Sequence, residues 1–126
     1  MTYFDVPTII NYHRRLIEEF GGQYGVRDEK LLNAALAAPF HTFGGVDLYP
    51  TVIEKAARLA YGLIKNHPFV DGNKRVAALA LKAFLELNGV QINDSPEDLA
   101  VCMYSVAAGE ASEDDLIQWL RERERT

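Results

Sequence analysis

The amino-acid sequence predicts an all-α protein, a bundle of helices around one central helix at about residues 73–88. Apolar residues recur at helical spacing in successive segments, and serine or aspartate stands where several of these segments begin. Between Val76 and Leu85 the central helix has Lys82 as its only polar residue, and a helix this apolar is normally surrounded by others. The length of 126 residues predicts a single domain over residues 1–126.

The first predicted helix runs from Pro7 to Phe20 and ends at Gly21-Gly22, because glycine is common at helix C-termini. We interpret His13, which falls on its apolar face, as a packed and hydrogen-bonded core histidine. A second helix runs from the N-cap Asp28 to Ala38, and Pro39 ends it. The apolar positions of the first helix are Ile9, Ile10, His13, Leu16, Ile17 and Phe20.

Residues 39–50 interrupt the helical pattern. They are rich in aromatic residues, are bracketed by Pro39 and Pro50, and contain Gly44-Gly45, which predicts an ordered loop or a short hairpin. Two interpretations are open. The segment is either a packed connector or a flap whose extended edge aligns a bound peptide through backbone hydrogen bonds.

The remaining helices follow from similar signals. One runs from about Thr51 to Asn66, and the central helix ends at Asn88-Gly89. Ser95, followed by proline and acidic residues, begins another helix, and Ser112 with the acidic residues after it begins the last.

Composition limits the possible functions. A net charge of −5 without clustered lysine and arginine argues against direct binding of nucleic acid. The single cysteine, Cys102, lies in an apolar helical pattern and is interpreted as a buried structural thiol. The N-terminus does not resemble a signal peptide, and no apolar run reaches the ~20 residues of a membrane span. We therefore expect a cytoplasmic protein that does not associate with membranes.

Residues 67–75, His-Pro-Phe-Val-Asp-Gly-Asn-Lys-Arg, form the turn before the central helix. Free N–H groups and the positive end of a helix dipole favour an anion at such a place, most often phosphate. Gly72 permits a tight turn close to a ligand, and Asn73 could donate a hydrogen bond to it. Lys74 and Arg75 add positive charge, and arginine matches phosphate geometry.

Two other side chains of this motif suit transferase chemistry. His67 could accept a proton from an attacking hydroxyl group. Asp71 could cap the helix or hold Mg²⁺ beside phosphates, whereas Phe69 is expected to anchor the loop in the core. Each residue alone has a structural explanation, but together they indicate phosphoryl or nucleotidyl transfer. The sequence contains no P-loop, no zinc-ligand spacing and no G-x-S-x-G motif.

The motif resembles the active-site motif of the Fic fold, H-P-F-x-[DE]-G-N-G-R, and most of the chain resembles the Doc (death on curing) branch of that family. The further similar features are Gly21-Gly22, Val26-Arg27-Asp28, the central-helix pattern and Asn88-Gly89. The resemblance implies a Fic-fold helical bundle that uses ATP and Mg²⁺. It implies that His67, Asp71, Lys74 and Arg75 are catalytic, that Phe69, Gly72, Asn73, Lys74 and Arg75 bind the nucleotide, and that Asp71 associates with Mg²⁺.

Two departures from the Fic pattern bear on the reaction. Lys74 stands where Fic adenylyltransferases have glycine, and Ala78 stands where they usually have a second arginine. Doc-type toxins share the Asn-Lys-Arg run, so the resemblance implies a kinase that transfers the γ-phosphate of ATP to a threonine or serine of elongation factor Tu or another translation factor. Gly72, where Doc toxins can have alanine, leaves adenylyl transfer open as the alternative.

The same resemblance implies a partner. The Fic self-inhibitory motif [ST]-x-x-x-E-[GN] is not found in these 126 residues, so we expect inhibition by a Phd-like antitoxin that folds onto the protein. The implied function is the toxin of a type II toxin–antitoxin system that arrests translation. A non-enzymatic module that binds the antitoxin and modulates operator binding is the alternative from another class.

Overall fold

The computed structural model describes residues 3 and 5–125, and helices make up most of that part of the chain. The helices are α1 (Val6–Phe20), α2 (Glu29–Ala37), α3 (Val52–Asn66), α4 (Asn73–Leu87), α5 (Pro96–Ala107) and α6 (Glu113–Arg123). A 3₁₀ turn (Ala38–Phe40) and two strands, β1 (Thr42–Phe43) and β2 (Val46–Asp47), lie between α2 and α3. The predicted all-α bundle with a short hairpin within residues 39–50 is therefore confirmed, and the predicted helix ends lie at or next to the observed ones.

Side chains cap the start of every described helix except α4. The capping oxygens accept from the N–H three residues later, at 3.0–3.1 Å, and belong to Asp5, Asp28, Thr51, Ser95 and Ser112. Each such bond satisfies one of the donors that a helix start leaves free. The N-cap of α4 is Gly72, which has no side chain, so the N–H groups at that helix start stay uncapped.

The centre of the bundle is shared by two helices. α4 is buried along most of its length and packs against α1, α3 and α5. α3 contacts α2, α4, α5, α6 and the 3₁₀ turn. One stripe of α4 faces outward, because Leu79 is 36% and Leu87 49% exposed. Within the described part of the chain, no helix is long and apolar enough to cross a bilayer.

The first helix differs from its predicted pattern at two apolar positions. His13 is 3% exposed and belongs to the core, as predicted. Ile10 and Phe20 were expected on the same buried face, but they are 39% and 54% exposed. Phe20 is the last residue of α1, where the chain turns away from the core. Cys102 is buried as predicted, and burial raises the pKa of its thiol.

The segment between α2 and α3 forms a short antiparallel hairpin, with Thr42 opposite Asp47. Its turn is Gly44-Gly45, whose φ angles of 59° and 80° belong to the left-handed region that glycine adopts readily. Lys55, only 4% exposed on α3, bonds to the carbonyl of Tyr49 and lies 3.5 Å from the Asp47 carboxylate. The base of the hairpin is therefore attached to the core, while residues 41–48 are all exposed.

Candidate active site

The motif at residues 67–75 lines a cavity of about 470 Å³ between the α3–α4 turn and α5. Such a volume lies in the range of small-molecule sites. The polar side is formed by His67, Asp71, Gly72, Asn73, Lys74 and Arg75. The apolar side is formed by Ile64, Ala78, Pro96, Ala100, Met103, Ala107 and the ring of Tyr104. The structure thus brings six of the seven predicted site residues to one cavity, and Phe69 is the exception.

His67 follows the last residue of α3 and has an unusual backbone conformation. Its φ and ψ are 49° and 55°, and it is the single non-glycine residue with positive φ in the part of the chain that the structure describes. This conformation costs an ordinary residue about 1–2 kcal/mol, and such strain is concentrated at functional sites. The conformation leaves the His67 side chain exposed at the cavity.

Arg27 holds this turn through two backbone carbonyls. Its Nε donates to the carbonyl of His67 at 2.7 Å, and its second guanidinium nitrogen donates to that of Asn66 at 2.9 Å. These carbonyls lie at the negative end of the α3 dipole, where a cation is favourable. This role of Arg27 has no local signal in the sequence, because the two residues it binds lie about 40 positions away. Only the resemblance of residues 26–28 to the Doc branch pointed to it.

The segment between α1 and α2 also runs beside the motif and pairs with it through one isolated β-bridge. Val26 pairs antiparallel with Phe69. The N–H groups of Arg27 and Asp28 donate to the carbonyl of Pro68 at 2.7 and 3.1 Å. The loop is therefore fixed along its length by backbone hydrogen bonds, not only at its ends.

Phe69 and Asn73 support the loop from inside. The Phe69 side chain is fully buried and stacks on the His13 ring, with centroids 3.9 Å apart and planes 7° apart. The expected anchor is thus observed. The Phe69 side chain is fully buried and does not line the cavity, and its assignment as a nucleotide-binding residue stays a prediction. Asn73 is 6% exposed, and its amide accepts from and donates to the Phe69 backbone, both at 3.0 Å. One N–H of that amide remains for another partner.

The Asp71 carboxylate is exposed at the cavity and held by two backbone donors. Oδ2 accepts from the N–H of Gln23 at 3.1 Å, and Oδ1 accepts from the N–H of Gly72 at 2.8 Å. These two hydrogen bonds, helped by the charge of Arg75, lower the pKa of Asp71, so the group is ionised at neutral pH. Gly22 provides the space, because a Cβ there would lie 2.7 Å from Oδ2.

The donor set limits how a metal could bind. The described residues contain no group of three or more histidine, cysteine, aspartate or glutamate side chains that could hold an ion. Each Asp71 oxygen accepts one hydrogen bond and retains capacity for another partner. Mg²⁺ is commonly bound by one or two carboxylates together with water and phosphate oxygens, so Asp71 fits such an ion only alongside a phosphate ligand.

Lys74 and Arg75 line the cavity, and each lies over an aromatic ring. The Lys74 Nζ is 5.6 Å from the centroid of Tyr104 on α5, and the Arg75 guanidinium is 4.8 Å from that of Phe20 on α1. Neither cation has a salt-bridge partner among residues 3 and 5–125. Phe20, which was expected on the buried face of α1, is therefore exposed and contacts the motif through its ring.

The chain is similar in sequence to known proteins. A sequence model described as the Fic/DOC family matches residues 3–85. "Toxin Doc" of Mycolicibacterium smegmatis is 51% identical over 85 residues, which are 64% of this chain and 65% of that protein, just under two thirds of its length. "Protein kinase doc" of Escherichia phage P1 is 30% identical over 121 residues, which are 96% of this chain and 94% of that protein. Because the family match covers more than half of the chain and includes the whole loop that lines the cavity, this protein belongs to the Fic/DOC family.

Proposed function

We propose that this protein is the toxin of a type II toxin–antitoxin system and a protein kinase. It transfers the γ-phosphate of ATP to a threonine or serine hydroxyl of a translation factor, with elongation factor Tu as the first candidate. The observation that carries the proposal is one cavity lined by a histidine, an ionised carboxylate, an uncapped helix start and two cations without a salt bridge to any residue that the structure describes. The names of the two relatives, one a toxin and one a protein kinase, support it.

The residues divide the reaction between them. His67 accepts the proton of the attacking hydroxyl group, since its side chain is exposed at the cavity. Lys74, Arg75 and the first N–H groups of α4 bind the phosphates and offset their charge. Asp71 would hold Mg²⁺, which, when bound, would neutralise charge between phosphate oxygens. The apolar side of the cavity, with Met103 and Tyr104, offers a surface for the adenine ring of ATP.

The hairpin is proposed to align the substrate. Phe43 is 81% and Val46 68% exposed, and large apolar side chains at such exposure are available to a partner. The hairpin has only two strands, so each strand has an unpaired edge that could bond to an extended peptide. We also propose a Phd-like antitoxin as the inhibitory partner, which leaves hairpin and cavity free when it dissociates.

The position of the transferred label tests the reaction type. Purified protein is incubated with elongation factor Tu and other translation factors, and with ATP labelled at either the γ- or the α-phosphate. Transfer of the γ label is expected. Transfer of the α label instead would contradict the kinase and establish the adenylyltransferase alternative. If neither label is transferred to any factor, the enzymatic proposal is wrong.

A His67→Asn variant separates an enzyme from a non-enzymatic co-regulator. Asparagine tolerates the left-handed conformation of residue 67 but cannot act as the base, so the variant should fold normally and lose transfer by about 10²- to 10⁴-fold. Growth is then compared between cells that express the wild type and the variant without antitoxin. Arrest by the wild type alone is expected, and equal arrest by both would show that His67 chemistry is not the toxic activity.

A further inference from the structure

We propose that His13 is a positioning residue of this active site, not only a core residue. It holds the backbone turn through Asp71 and Gly72, and so sets the direction of the Asp71 carboxylate and the start of α4. The inference rests on the proposed function for its kinetic test, although its structural test is independent of that function.

The contact between His13 and the motif is direct. His13 lies on α1, is 3% exposed, and its Nε2 is 2.7 Å from the carbonyl oxygen of Asp71. A carbonyl oxygen only accepts hydrogen bonds, so we assign the hydrogen to Nε2. The ring stacks on Phe69, the buried anchor of the loop. One side chain therefore contacts the motif by a hydrogen bond and by stacking, at positions 69 and 71.

Gly72 completes the arrangement. A Cβ at this position would lie 3.6 Å from Nε2 of His13, so the backbone at Gly72 runs against the ring. Gly72 has φ 75° and turns the chain into α4. Its N–H donates to Asp71 Oδ1. His13 thus fixes the Asp71 carbonyl on one side of the turn, while Gly72 and Gln23 fix its carboxylate on the other.

Packing alone does not explain a histidine at this position. Ile17, also on α1, lies near Gly72, where its Cδ1 would be 3.4 Å from an added Cβ, and it supplies apolar contact without a polar bond. Burying an imidazole costs free energy unless its polar atoms are bonded, and a leucine would fill such a place without that cost. What His13 adds over an apolar residue is the donor to Asp71.

Two substitutions separate the donor from the packing. In His13→Gln the amide nitrogen is as many bonds from Cα as Nε2, so the donor is kept while the ring is lost. In His13→Leu an apolar side chain is kept and the donor is lost. Leu116→Ala, a fully buried residue of α6 away from the cavity, is the matched control for lost stability.

The measurements are kcat and KM for ATP per folded protein, together with amide hydrogen exchange at Gln23 and Gly72, whose N–H groups bond to Asp71. His13→Leu should lower kcat by roughly 10- to 100-fold with a smaller change in KM, and should speed exchange at both amides. His13→Gln should recover most of both properties. Leu116→Ala should lower the melting temperature but leave kcat and the exchange rates at the two amides unchanged.

Two results would overturn the inference: wild-type kcat and exchange in His13→Leu, or a His13→Gln variant as defective as His13→Leu. If the wild type itself transfers no phosphate to any factor, the proposed function fails. The exchange rates of the two variants then decide the role of His13 alone, because they need no substrate.

Discussion

The position of His67 depends on contacts with residues that are distant in the sequence. Its backbone is left-handed, and Arg27 holds its carbonyl from the connection between α1 and α2. Hydrogen bonds from a charged donor contribute about 1.5–3 kcal/mol when buried, and less when exposed, as this one is. We therefore regard Arg27 as a support of the base, not as a contact of the substrate.

Replacement of Arg27 tests that support. Arg27→Ala removes both bonds to the carbonyls of Asn66 and His67 and should reduce phosphate transfer by about tenfold while lowering the free energy of unfolding by ~1 kcal/mol. Transfer assays and denaturant unfolding measure the two effects. The matched control is Arg14→Ala, because Arg14 is an exposed arginine of α1 that bonds to Asn11 and Glu18 on its own helix. Equal transfer by wild type and Arg27→Ala would mean that the turn keeps its geometry without the guanidinium.

At the residue level, the sequence indicated the site residues that are contiguous in one motif but not the residues that support the motif from distant positions. Six motif residues line one cavity because they lie in one short turn, where neighbours in sequence are neighbours in space. Phe69 is buried in the core, as its residue type predicted, whereas its role in nucleotide binding was implied only by the resemblance and stays a prediction. The roles of Gly22, Gln23 and Arg27 depend on hydrogen bonds and close approaches across 40 or more positions, for which the sequence carried no local signal.

Among the elements, the hairpin was the least predictable. Its strands have two residues each, too few for the alternation that identifies a strand, so the sequence predicted either a loop or a hairpin. The Gly44-Gly45 turn and its φ angles settle the choice. Exposure of residues 41–48 argues against the packed-connector interpretation, because a connector that packs would bury its aromatic and aliphatic side chains.

A proline in the turn tests the role of the hairpin. Proline fixes φ near −65°, whereas Gly44 has φ 59°, so Gly44→Pro should disrupt the hairpin. We expect modification of the target protein to fall by about tenfold or more, with little change in melting temperature, because residues 41–48 are all exposed. Gly44→Asn, which tolerates the left-handed conformation, should retain modification. Full modification of the target by Gly44→Pro would mean that the segment is only a connector between α2 and α3.

At the scale of the whole molecule, the sequence predicted one of the two helices at the centre of the bundle and missed the other. The central position of α4 followed from its apolar sequence, but the equal part played by α3 did not. Lys55 and Arg58 make α3 look like a surface helix, yet Lys55 is buried because its ammonium group bonds to the base of the hairpin. A buried cation with partners elsewhere in the chain cannot be distinguished from a solvated one by sequence pattern.

The pH dependence of stability should reflect three aspartates. The pKa values of Asp5, Asp71 and Asp115 lie below their usual value of 3.8, mainly because backbone or hydroxyl donors in the folded chain bond to the ionised carboxylates. Groups whose folded pKa is lowered add stability that is present above the unfolded pKa and is lost as the pH falls through the folded pKa. The melting temperature should therefore be nearly constant from pH 7 to about 5 and should fall below about pH 4.

Thermal melting across this range checks the prediction, and one variant checks its cause. Asp115→Asn removes one of the three carboxylates and should make the melting temperature fall less steeply at acidic pH. Asp114→Asn in the same helical turn should leave this fall unchanged. A melting temperature that falls already between pH 7 and 5 would mean that other groups control acid unfolding.

The left-handed backbone at His67 also has a consequence for how such a gene can decay. A single-base change converts a histidine codon into an asparagine codon, and asparagine accepts the backbone conformation at residue 67 at least as readily as histidine does. The inactive product would keep its core, its hairpin and every surface that a partner recognises. Mutational drift therefore meets no folding barrier at the residue on which the proposed chemistry depends, and lineages can retain an intact but silent copy of this protein.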